Sequence, residues 1–422
     1  MLQQISGSIA VANAVALCRP EVIPCYPITP QTHIVEHLST LVKSGQLQDC
    51  TYENVESEFA SMSFCIGASA AGARTYTATA SQGLLYMMEA VYNASGLGLP
   101  IVMTLGNRAI GAPINIWNDH SDAMSVRDAG WIQLFVESNQ QAVDVHIQAF
   151  KLAEALSLPV MVNMDGFILT HAITRVDMPD QEQVDRFLPP FIPRQKLDTE
   201  SPLSIGAMVG PDAFTEVRYL AHHKQKEALT IIEQQAEEFA NIFGRDSGGL
   251  VKSYFAQESD IVFVAMGSVV GTMQDLVNDL RSEGYSVGIL SLRSFRPFPA
   301  NAICNALKNA QQVIVFEKSF AVGMGGILAS EIHMATQRYA DIQGVQISSV
   351  IGGLGGRTIT KQSLRKLVDK AKQGDLDAEV FMDLEANTVV RELKRQQDEQ
   401  SSGPAAENIL RDMGVVSASK TH

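Results

Sequence analysis

Two residues that follow predicted strands could together hold a carboxylate. Thr29 lies in CYPITPQT, residues 25–32, where two prolines keep the backbone extended after a short apolar run. Arg108 follows the apolar run PIVMTLGN, and a guanidinium can donate two parallel hydrogen bonds to one carboxylate. Ligands of open α/β sheets bind at the carboxyl ends of the strands. Thr29 and Arg108 are therefore candidate anion-binding residues, although an ordinary turn threonine and a solvated arginine explain each one separately.

A single acid, Glu58, lies where a helix is predicted to begin. The string that contains it, ENVESEFASMSFCIGASAAGA, continues into a small and apolar helix face. A carboxylate beside such a face is poorly hydrated, which suits a group that exchanges protons. The alternative is an ordinary first-turn glutamate that the helix dipole favours.

Two polar residues occupy a predicted turn between a strand and a helix. Ser81 and Gln82 lie in TATASQGLLYMMEA, residues 77–90. Backbone amides at the start of a helix suit a ligand oxygen, although a plain helix cap explains the same residues. We treat Ser81 and Gln82 as candidate binding residues.

Other polar and glycine-rich strings carry weaker signals. The string NDHSD, with Asp119, His120 and Asp122, is better explained by capping and hydrogen bonding than by a metal site, and we assign no metal ligand in this chain. The glycine clusters MGSVVGTM, GMGG and GGLGG reproduce neither GxGxxG nor the Walker sequence, so they predict backbone turns.

The hydrophobic pattern predicts two α/β blocks. From residue 8 to about 174, short β-rich runs alternate with helix-like segments, which predicts βαβ units around a parallel sheet. A second alternation from about 258 to 375 predicts a smaller open-sheet domain, whose role we expect to be packing and spacing. We therefore divide the chain at 1–174, 175–257, 258–375 and 376–422.

The segments outside the two blocks have their own patterns. Five prolines between 175 and 211 predict an irregular, extended arm that wraps a neighbour. Apolar residues from Leu229 to Phe243 recur at steps of three and four and stop at Gly244, which predicts an amphipathic helix with a glycine C-cap that bridges the two domains. The tail from 392 predicts a mobile extension with a possible docking helix.

Composition limits the possible partners and compartments. The chain of 422 residues is 46% hydrophobic and 18% charged, with a formal net charge of −14, so a nucleic-acid or anionic-membrane surface is not expected. Its 5 cysteines are scattered and form no CxxC, which argues against a disulfide framework and points to the reducing cytoplasm. No leader pattern and no membrane-spanning apolar run is visible in the sequence.

Taken together, six strings give a specific resemblance. In chain order they are YPITPQT, ESEFA, TATASQGL, GNRAIGAP, IWNDHSDAMSVRDAGW and MDGFILTH. They resemble the α subunits of the 2-oxoacid:ferredoxin oxidoreductase family, in particular those of pyruvate:ferredoxin oxidoreductases, over nearly all of residues 5–375. The resemblance implies an α/β fold: a thiamine-diphosphate-binding-type parallel-sheet domain on the pyrimidine side, followed by a domain like the transketolase C-terminal module.

The resemblance also implies roles for individual residues. Glu58 would meet the pyrimidine nitrogen N1′ of thiamine diphosphate and favour its imino tautomer by sharing a proton. Thr29 and Arg108 would hold the carboxylate of the 2-oxoacid. Pro27, Ser81 and Gln82 would lie on the cofactor side of the site. The implied reaction is the coenzyme A-dependent oxidative decarboxylation of pyruvate to acetyl-CoA and CO2, with electrons passed to ferredoxin.

Parts of that machinery are missing from the sequence. It has no GDG string followed by an asparagine for a Mg2+-bound diphosphate, since MDGF lacks such a partner, and no CxxCxxC run for iron–sulfur clusters. The resemblance then implies a hetero-oligomer around a two-fold axis. A β subunit would bring the diphosphate and Mg2+ site, and γ and δ subunits would bring [4Fe-4S] clusters.

Two alternatives remain at this stage. The same enzyme class could act on 2-oxoglutarate, a branched 2-oxoacid or oxalate, and the preference for pyruvate rests on the likeness around GNRAIGAPINIWNDHSDAMSV. A non-catalytic α/β scaffold subunit, in which Arg108 only binds an anion, is the alternative of a different class. The direction of the reaction in the cell depends on the electron carrier and cannot be read from these residues.

Overall fold

The computed structural model describes residues 1–339, 344–400 and 402–415. Within them the strands are β1 (Leu2–Ser6), β2 (Val22–Cys25), β3 (Thr51–Asn54), β4 (Thr75–Thr79), β5 (Ile101–Asn107), β6 (Ile132–Phe135), β7 (Val160–Asp165), β8 (Ile173–Asp177), β9 (Val251–Tyr254), β10 (Ile261–Ala265), β11 (Val287–Leu292), β12 (Ser294–Arg296), β13 (Gln312–Glu317), β14 (Gln346–Ile351) and β15 (Glu379–Phe381). The helices are α1 (Gly7–Leu17), α2 (Thr32–Lys43), α3 (Glu58–Ala70), α4 (Ser81–Tyr86), α5 (Met88–Gly96), α6 (Ser121–Ser125), α7 (Asn139–Leu156), α8 (Gln181–Phe187), α9 (Pro211–Phe243), α10 (Val269–Ser282), α11 (Ala300–Leu307), α12 (Ile327–Tyr339), α13 (Lys361–Gln373), α14 (Ala386–Asp398) and α15 (Ala405–Asp412).

The first α/β block forms the parallel sheet that its sequence predicts. The strand order is β12-β6-β7-β5-β4-β2-β3, and the strands from β2 to β7 pair in parallel. Every residue of β4, β5, β6 and β7 is buried. Helices cover both faces of such a sheet, which explains why these strands read as continuous apolar runs.

The second block forms a six-stranded sheet in the order β15-β14-β13-β10-β11-β9. All pairs are parallel except β9 with β11. The predicted boundary at 375 is too early, because β15 completes this sheet beyond it. The short strand β12 crosses over and pairs antiparallel with β6 of the first sheet.

The two blocks share a hydrophobic core. One cluster of buried side chains joins α3, represented by Met62 and Cys65, to strands of the second sheet, represented by Val262 and Leu290. A separate cluster covers the other face of the first sheet, where α1, α2, α7 and α9 pack. The shared core fixes the second sheet against the first and brings its loops toward the carboxyl ends of the first sheet.

The segment between the blocks is more regular than predicted. The expectation of no regular structure from 175 to 211 is wrong, because β8 pairs with β1 and α8 follows a capping box at Asp180. Pro179 precedes that cap, and Pro189 and Pro190 follow the helix, so these prolines flank the helix and leave its interior free. The arm after them lies on its own first domain, where the Leu197 N–H donates to the Ala70 carbonyl oxygen at 2.7 Å.

The helix predicted before Gly244 is present, and Gly244 has the positive φ of a C-cap (70°). This helix, α9, is 33 residues long and begins at Pro211, well before the predicted start. The sequence pattern does not predict its first half, because that half is exposed and lacks the apolar spacing of the second half.

In the tail, α14 and α15 pack together through Asn408 Nδ2, which donates to Glu392 Oε1 at 3.0 Å. Residues 401 and 416–422 of the predicted extension lie outside the described residues. No helix in the described ranges is long and apolar enough to cross a membrane.

Candidate active site

The structure brings Thr29 and Arg108 together at the carboxyl edge of the first sheet. Arg108 follows β5 directly, and its Nη1 donates to the Thr29 carbonyl oxygen at 3.0 Å. Its Nε donates to the Asn115 carbonyl oxygen at 3.2 Å. Within the described residues neither Nη2 of Arg108 nor the Thr29 hydroxyl makes a hydrogen bond. Thr29 is exposed and Arg108 is half-buried, and the binding of an anion by these two donors stays a prediction.

Glu58 is the first residue of α3 and is only 9% exposed. The Ser57 side chain caps this helix by accepting from the Ala60 N–H at 3.2 Å. Ser61 Oγ donates to the Pro24 carbonyl oxygen at 2.7 Å, so the first turn of α3 is tied to β2. No hydrogen bond reaches the Glu58 carboxylate from the described part of the chain. Its position at the helix start fits the dipole explanation as well, and the two explanations are compatible.

Gly83 packs directly against Glu58. A Cβ at this position would lie 2.8 Å from Glu58 Oε1 and 2.5 Å from Thr79 Oγ1. The missing side chain therefore lets α4 approach the carboxylate. The sequence pattern assigns no role to Gly83, because a glycine within a helix gives no sign of what it contacts.

The turn residues occupy different environments. Ser81 is fully buried, its N–H donates to Asp122 Oδ2 at 3.0 Å, and its hydroxyl donates to the Ala109 carbonyl oxygen. Both groups are thus used within the protein, which places Ser81 as a support of the turn. Gln82 is half-buried beside Gly111, and Pro27 is exposed after β2. Cofactor contact by Pro27, Ser81 and Gln82 stays a prediction.

The NDHSD string makes the hydrogen bonds that its sequence predicts, although its N-cap residue His120 makes no side-chain cap to α6. Asp119 Oδ1 accepts from the Ser121 N–H at 3.0 Å, and His120 Nε2 lies 2.7 Å from Asp165 Oδ1. Asp122, which sequence reasoning included only as part of this string, is 0% exposed and contacts both Ser81 and Arg108. In the described ranges no group of three or more His, Cys, Asp or Glu side chains is arranged to hold a metal ion.

A buried ion network joins the second domain to this edge of the sheet. Lys318 Nζ lies 2.7 Å from Asp165 Oδ2 and 3.1 Å from Asn118 Oδ1, and Lys318 and Asp165 are 2% and 1% exposed. Although burial opposes it, the charges of Lys318 and His120 hold the pKa of Asp165 well below its usual range. Sequence reasoning missed this network, because Asp165 and Lys318 are 153 residues apart, and Asp165 simply ends one strand while Lys318 follows another.

The second domain also contacts the loop that follows Arg108. Asn115 Nδ2 donates to the Gly355 carbonyl oxygen at 3.1 Å, and the Gly356 N–H donates to the Asn118 carbonyl oxygen at 2.7 Å. A Cβ on Gly356 would lie 2.5 Å from Trp117 Cβ, so the GGLGG turn admits this close approach. The domain expected to act only as packing and spacing thus shapes the candidate site.

A groove of about 1330 Å3 lies elsewhere, between α9, α11 and α12. Its wall includes Arg293 and Arg296, which pair with Glu137 and Glu331. None of the predicted site residues lines it. Its size therefore gives no reason to move the candidate site away from Arg108 and Glu58.

Two family models match the chain. Residues 13–237 match the family described as "Pyruvate flavodoxin/ferredoxin oxidoreductase, thiamine diP-bdg". Residues 259–364 match the family described as "Pyruvate:ferredoxin oxidoreductase core domain II". Together these matches include all six predicted site residues and most of the second sheet.

Curated relatives match over most of the chain. Pyruvate synthase subunit PorA of Methanosarcina barkeri is 48% identical over 387 residues, which cover 90% of this chain and 96% of the relative. PorA of Methanothermobacter thermautotrophicus is 44% identical, with coverage of 88% and 96%. Ketoisovalerate oxidoreductase subunit VorA of Pyrococcus abyssi is 40% identical, with coverage of 89% and 96%.

A solved structure shares the fold. It is the 2-oxoglutarate:ferredoxin oxidoreductase from Magnetococcus marinus with 2-oxoglutarate, coenzyme A and succinyl-CoA bound. Its TM-score with this chain is 0.64 at 20% sequence identity, and the match covers 88% of this chain and 65% of the solved chain. The matching family models and the PorA relatives establish that this chain belongs to the pyruvate:ferredoxin oxidoreductase family.

Proposed function

We propose that this chain is the α subunit of a pyruvate synthase. The enzyme catalyses the coenzyme A-dependent oxidative decarboxylation of pyruvate to acetyl-CoA and CO2, reversibly, and passes the electrons to ferredoxin. The observation that carries the proposal is the 44–48% identity to PorA subunits over about nine tenths of the chain. VorA relatives are 39–40% identical, so a branched 2-oxoacid is the second candidate substrate.

The residues at the candidate site fit thiamine diphosphate. The Glu58 carboxylate is nearly buried, accepts no hydrogen bond within the described residues and is cradled by a glycine where a Cβ would collide with it. A carboxylate in this environment is suited to a partner that brings its own N–H or protonated ring nitrogen. Glu58 is the residue that would hold the aminopyrimidine at N1′.

The reaction then divides between the cofactor and this chain. Thiamine diphosphate, when bound, supplies the nucleophilic carbon and the electron sink for loss of CO2. Glu58 holds or shares the proton at its carboxylate oxygens. Arg108 and the Thr29 hydroxyl bind the substrate carboxylate through donors that make no hydrogen bond in the described protein, and this fixes the keto carbon relative to the ring.

We assign the remaining machinery to partner subunits. A β subunit would carry the diphosphate and the Mg2+, and γ and δ subunits would carry the [4Fe-4S] clusters that pass electrons to ferredoxin. The absence of a GDG string and of a CxxCxxC run in this sequence supports the assignment. The five free thiols support the reducing cytoplasm as the compartment.

A substrate panel tests the proposal. The assembled, metal-replete complex is supplied with coenzyme A and a low-potential acceptor, and acceptor reduction is measured with pyruvate, 2-oxoglutarate, a branched 2-oxoacid and oxalate. The proposal expects the highest kcat/KM with pyruvate. A higher value with the branched acid transfers the assignment to the second candidate, and no reduction with any 2-oxoacid supports the scaffold alternative.

A further inference from the structure

Asp122 is a carboxylate with a complete set of protein donors and no exposure to solvent. Its Oδ2 accepts from the Ser81 N–H at 3.0 Å and the Arg108 N–H at 2.9 Å. Its Oδ1 accepts from Asn107 Nδ2 at 3.0 Å and the Ala123 N–H at 2.8 Å. One side chain therefore connects the first turn of α4, the end of β5 and the start of α6.

The two segments that share Oδ2 lead to opposite sides of the candidate site. Ser81 begins the turn that continues to Gly83, which packs against Glu58. Arg108 carries the guanidinium that contacts the Thr29 carbonyl oxygen. The backbones of these two segments are both fixed by the same oxygen atom. Asp122 Oδ2 therefore links the helix turn that contacts Glu58 to the strand end that carries the Arg108 guanidinium.

Only an ionised carboxylate satisfies this arrangement. All four groups that face Asp122 are N–H donors, and an ionised aspartate accepts through two oxygens. An asparagine of the same shape keeps one oxygen and replaces the other with an NH2 group. That NH2 group would face two N–H donors if it took the place of Oδ2, or one backbone and one side-chain donor if it took the place of Oδ1.

We propose that Asp122 is a positioning residue that sets the Arg108 backbone relative to the Ser81–Gly83 turn, and so aligns the substrate carboxylate with Glu58. This inference rests on the proposed function, because it gives Arg108 and Glu58 the roles stated there. Asp122 itself does not contact the substrate and acts through the two segments that it connects.

The protonation state of Asp122 makes the alignment of these two segments depend on pH. Burial raises the pKa of Asp122, the N–H donors of Asn107, Arg108 and Ser81 lower it, and the nearby Asp119 carboxylate raises it, so that the pKa is about 7. Because this pKa lies above that of an exposed aspartate, the closed arrangement binds a proton more tightly than an opened one, so the two segments are expected to open more readily as the pH rises through about 7.

Several other charged or titratable side chains lie near Asp122. Asp119 lies on the same turn, and the His120–Asp165 pair follows it. The Arg108 guanidinium lies across the loop, where burial lowers its pKa and the charge of Asp122 raises it. Lys318 closes the network from the second domain.

The first test is kinetic and uses the assembled complex with Asp122→Asn. We expect KM for the 2-oxoacid to rise about tenfold or more in the variant. We also expect the wild-type rise of KM above about pH 7 to be absent from the pH profile of the variant. The matched control is Asp144→Asn, which removes another buried carboxylate, one that pairs with Arg245 away from the site. The control is expected to keep the wild-type KM and pH profile.

The second test needs no substitution. Hydrogen exchange is followed in the wild-type complex between pH 6 and 8, and protection factors are calculated for peptides that contain Ser81 and Arg108. We expect the protection factors of both peptides to fall together as the pH rises through about 7, while a peptide from β10 keeps its protection. This measurement decides the question even where the variant fails to assemble.

The outcomes separate this inference from the function on which it rests. A wild-type complex that does not oxidise any 2-oxoacid removes the proposed function, whereas the exchange experiment still reports on Asp122. An active wild type whose Asp122→Asn variant keeps the KM and the pH profile overturns the inference alone. Protection at Ser81 and Arg108 that does not depend on pH overturns it as well.

Discussion

Removing Lys318 from the buried network is expected to destabilise the chain strongly. In Lys318→Met the aliphatic stem remains, but Asp165, which is 1% exposed, loses its cation at 2.7 Å. His120 Nε2 at 2.7 Å and the Ser268 N–H at 2.9 Å stay beside it, so the carboxylate is only partly compensated. Breaking a buried pair by removing one partner typically costs about 3 to 5 kcal/mol of unfolding free energy.

The assay is urea unfolding of the purified chain, followed by the fluorescence of the buried Trp131. The matched control is Lys361→Met, which breaks the Lys361–Asp279 pair, whose side chains are 49% and 53% exposed, and which should cost far less because solvent screens the pair. The double variant Lys318→Met with Asp165→Asn should be more stable than Lys318→Met alone, because the buried carboxylate that lost its lysine is no longer present.

The pH dependence supplies an independent check on the same pair. Because the folded pKa of Asp165 lies well below its unfolded value, the stabilisation is fully present above about pH 4 and is lost as the pH falls below it. Lys318→Met should weaken this acid-sensitive part of the unfolding curve. A loss in Lys318→Met no larger than that of Lys361→Met, or a double variant that is less stable than the single one, refutes the reasoning.

Three further predictions follow from the site and the second domain. Gly83→Ala should push the new Cβ into Glu58 and lower turnover of the assembled complex at least about tenfold. In the control Gly67→Ala no atom lies within 4 Å of the new Cβ, so this variant should leave turnover unchanged and stabilise α3 by up to about 1 kcal/mol. Arg108→Lys should raise KM for the 2-oxoacid about tenfold, since an ammonium cannot reproduce the planar fork, and steady-state kinetics across substrate concentrations measure it; an unchanged KM contradicts this. Burial raises the pKa of Glu317 to about 7, although three backbone amides at the start of α12 oppose the shift. The unfolding free energy should therefore fall as the pH rises from about 4.5 to 7. Glu317→Gln should flatten this pH dependence by one proton, and an unchanged slope contradicts the assignment.

Much of the fold could be predicted because its signals are local. Strands buried on both faces, such as β4 and β5, read as continuous apolar runs, and the amphipathic second half of α9 ends at a glycine. The first half of α9 was missed because its exposed face carries no apolar period. The segment with β8 and α8 was missed because five prolines were counted together, although those nearest α8 lie just outside its ends.

The sequence predicts those residues of the candidate site that lie at strand ends or in recognisable motifs, but not the contacts between loops. Thr29 and Arg108 follow strands that are neighbours of β4, so their proximity follows from the sheet order. The partners of Ser81 and of Asp122 depend on how three loops meet, and no local pattern encodes that meeting. The Asp165–Lys318 pair joins two domains, and only their shared core determines it.

The account depends most on the role of Glu58, and Glu58→Gln in the assembled, thiamine-loaded complex tests it most directly. The exposed Glu56→Gln serves as the control, and turnover with pyruvate, coenzyme A and a low-potential acceptor is compared with wild type. The account predicts that Glu58→Gln lowers kcat by about 10² to 10⁴, the usual contribution of a positioned proton-transfer group, while Glu56→Gln keeps wild-type turnover. Wild-type turnover in Glu58→Gln would contradict it.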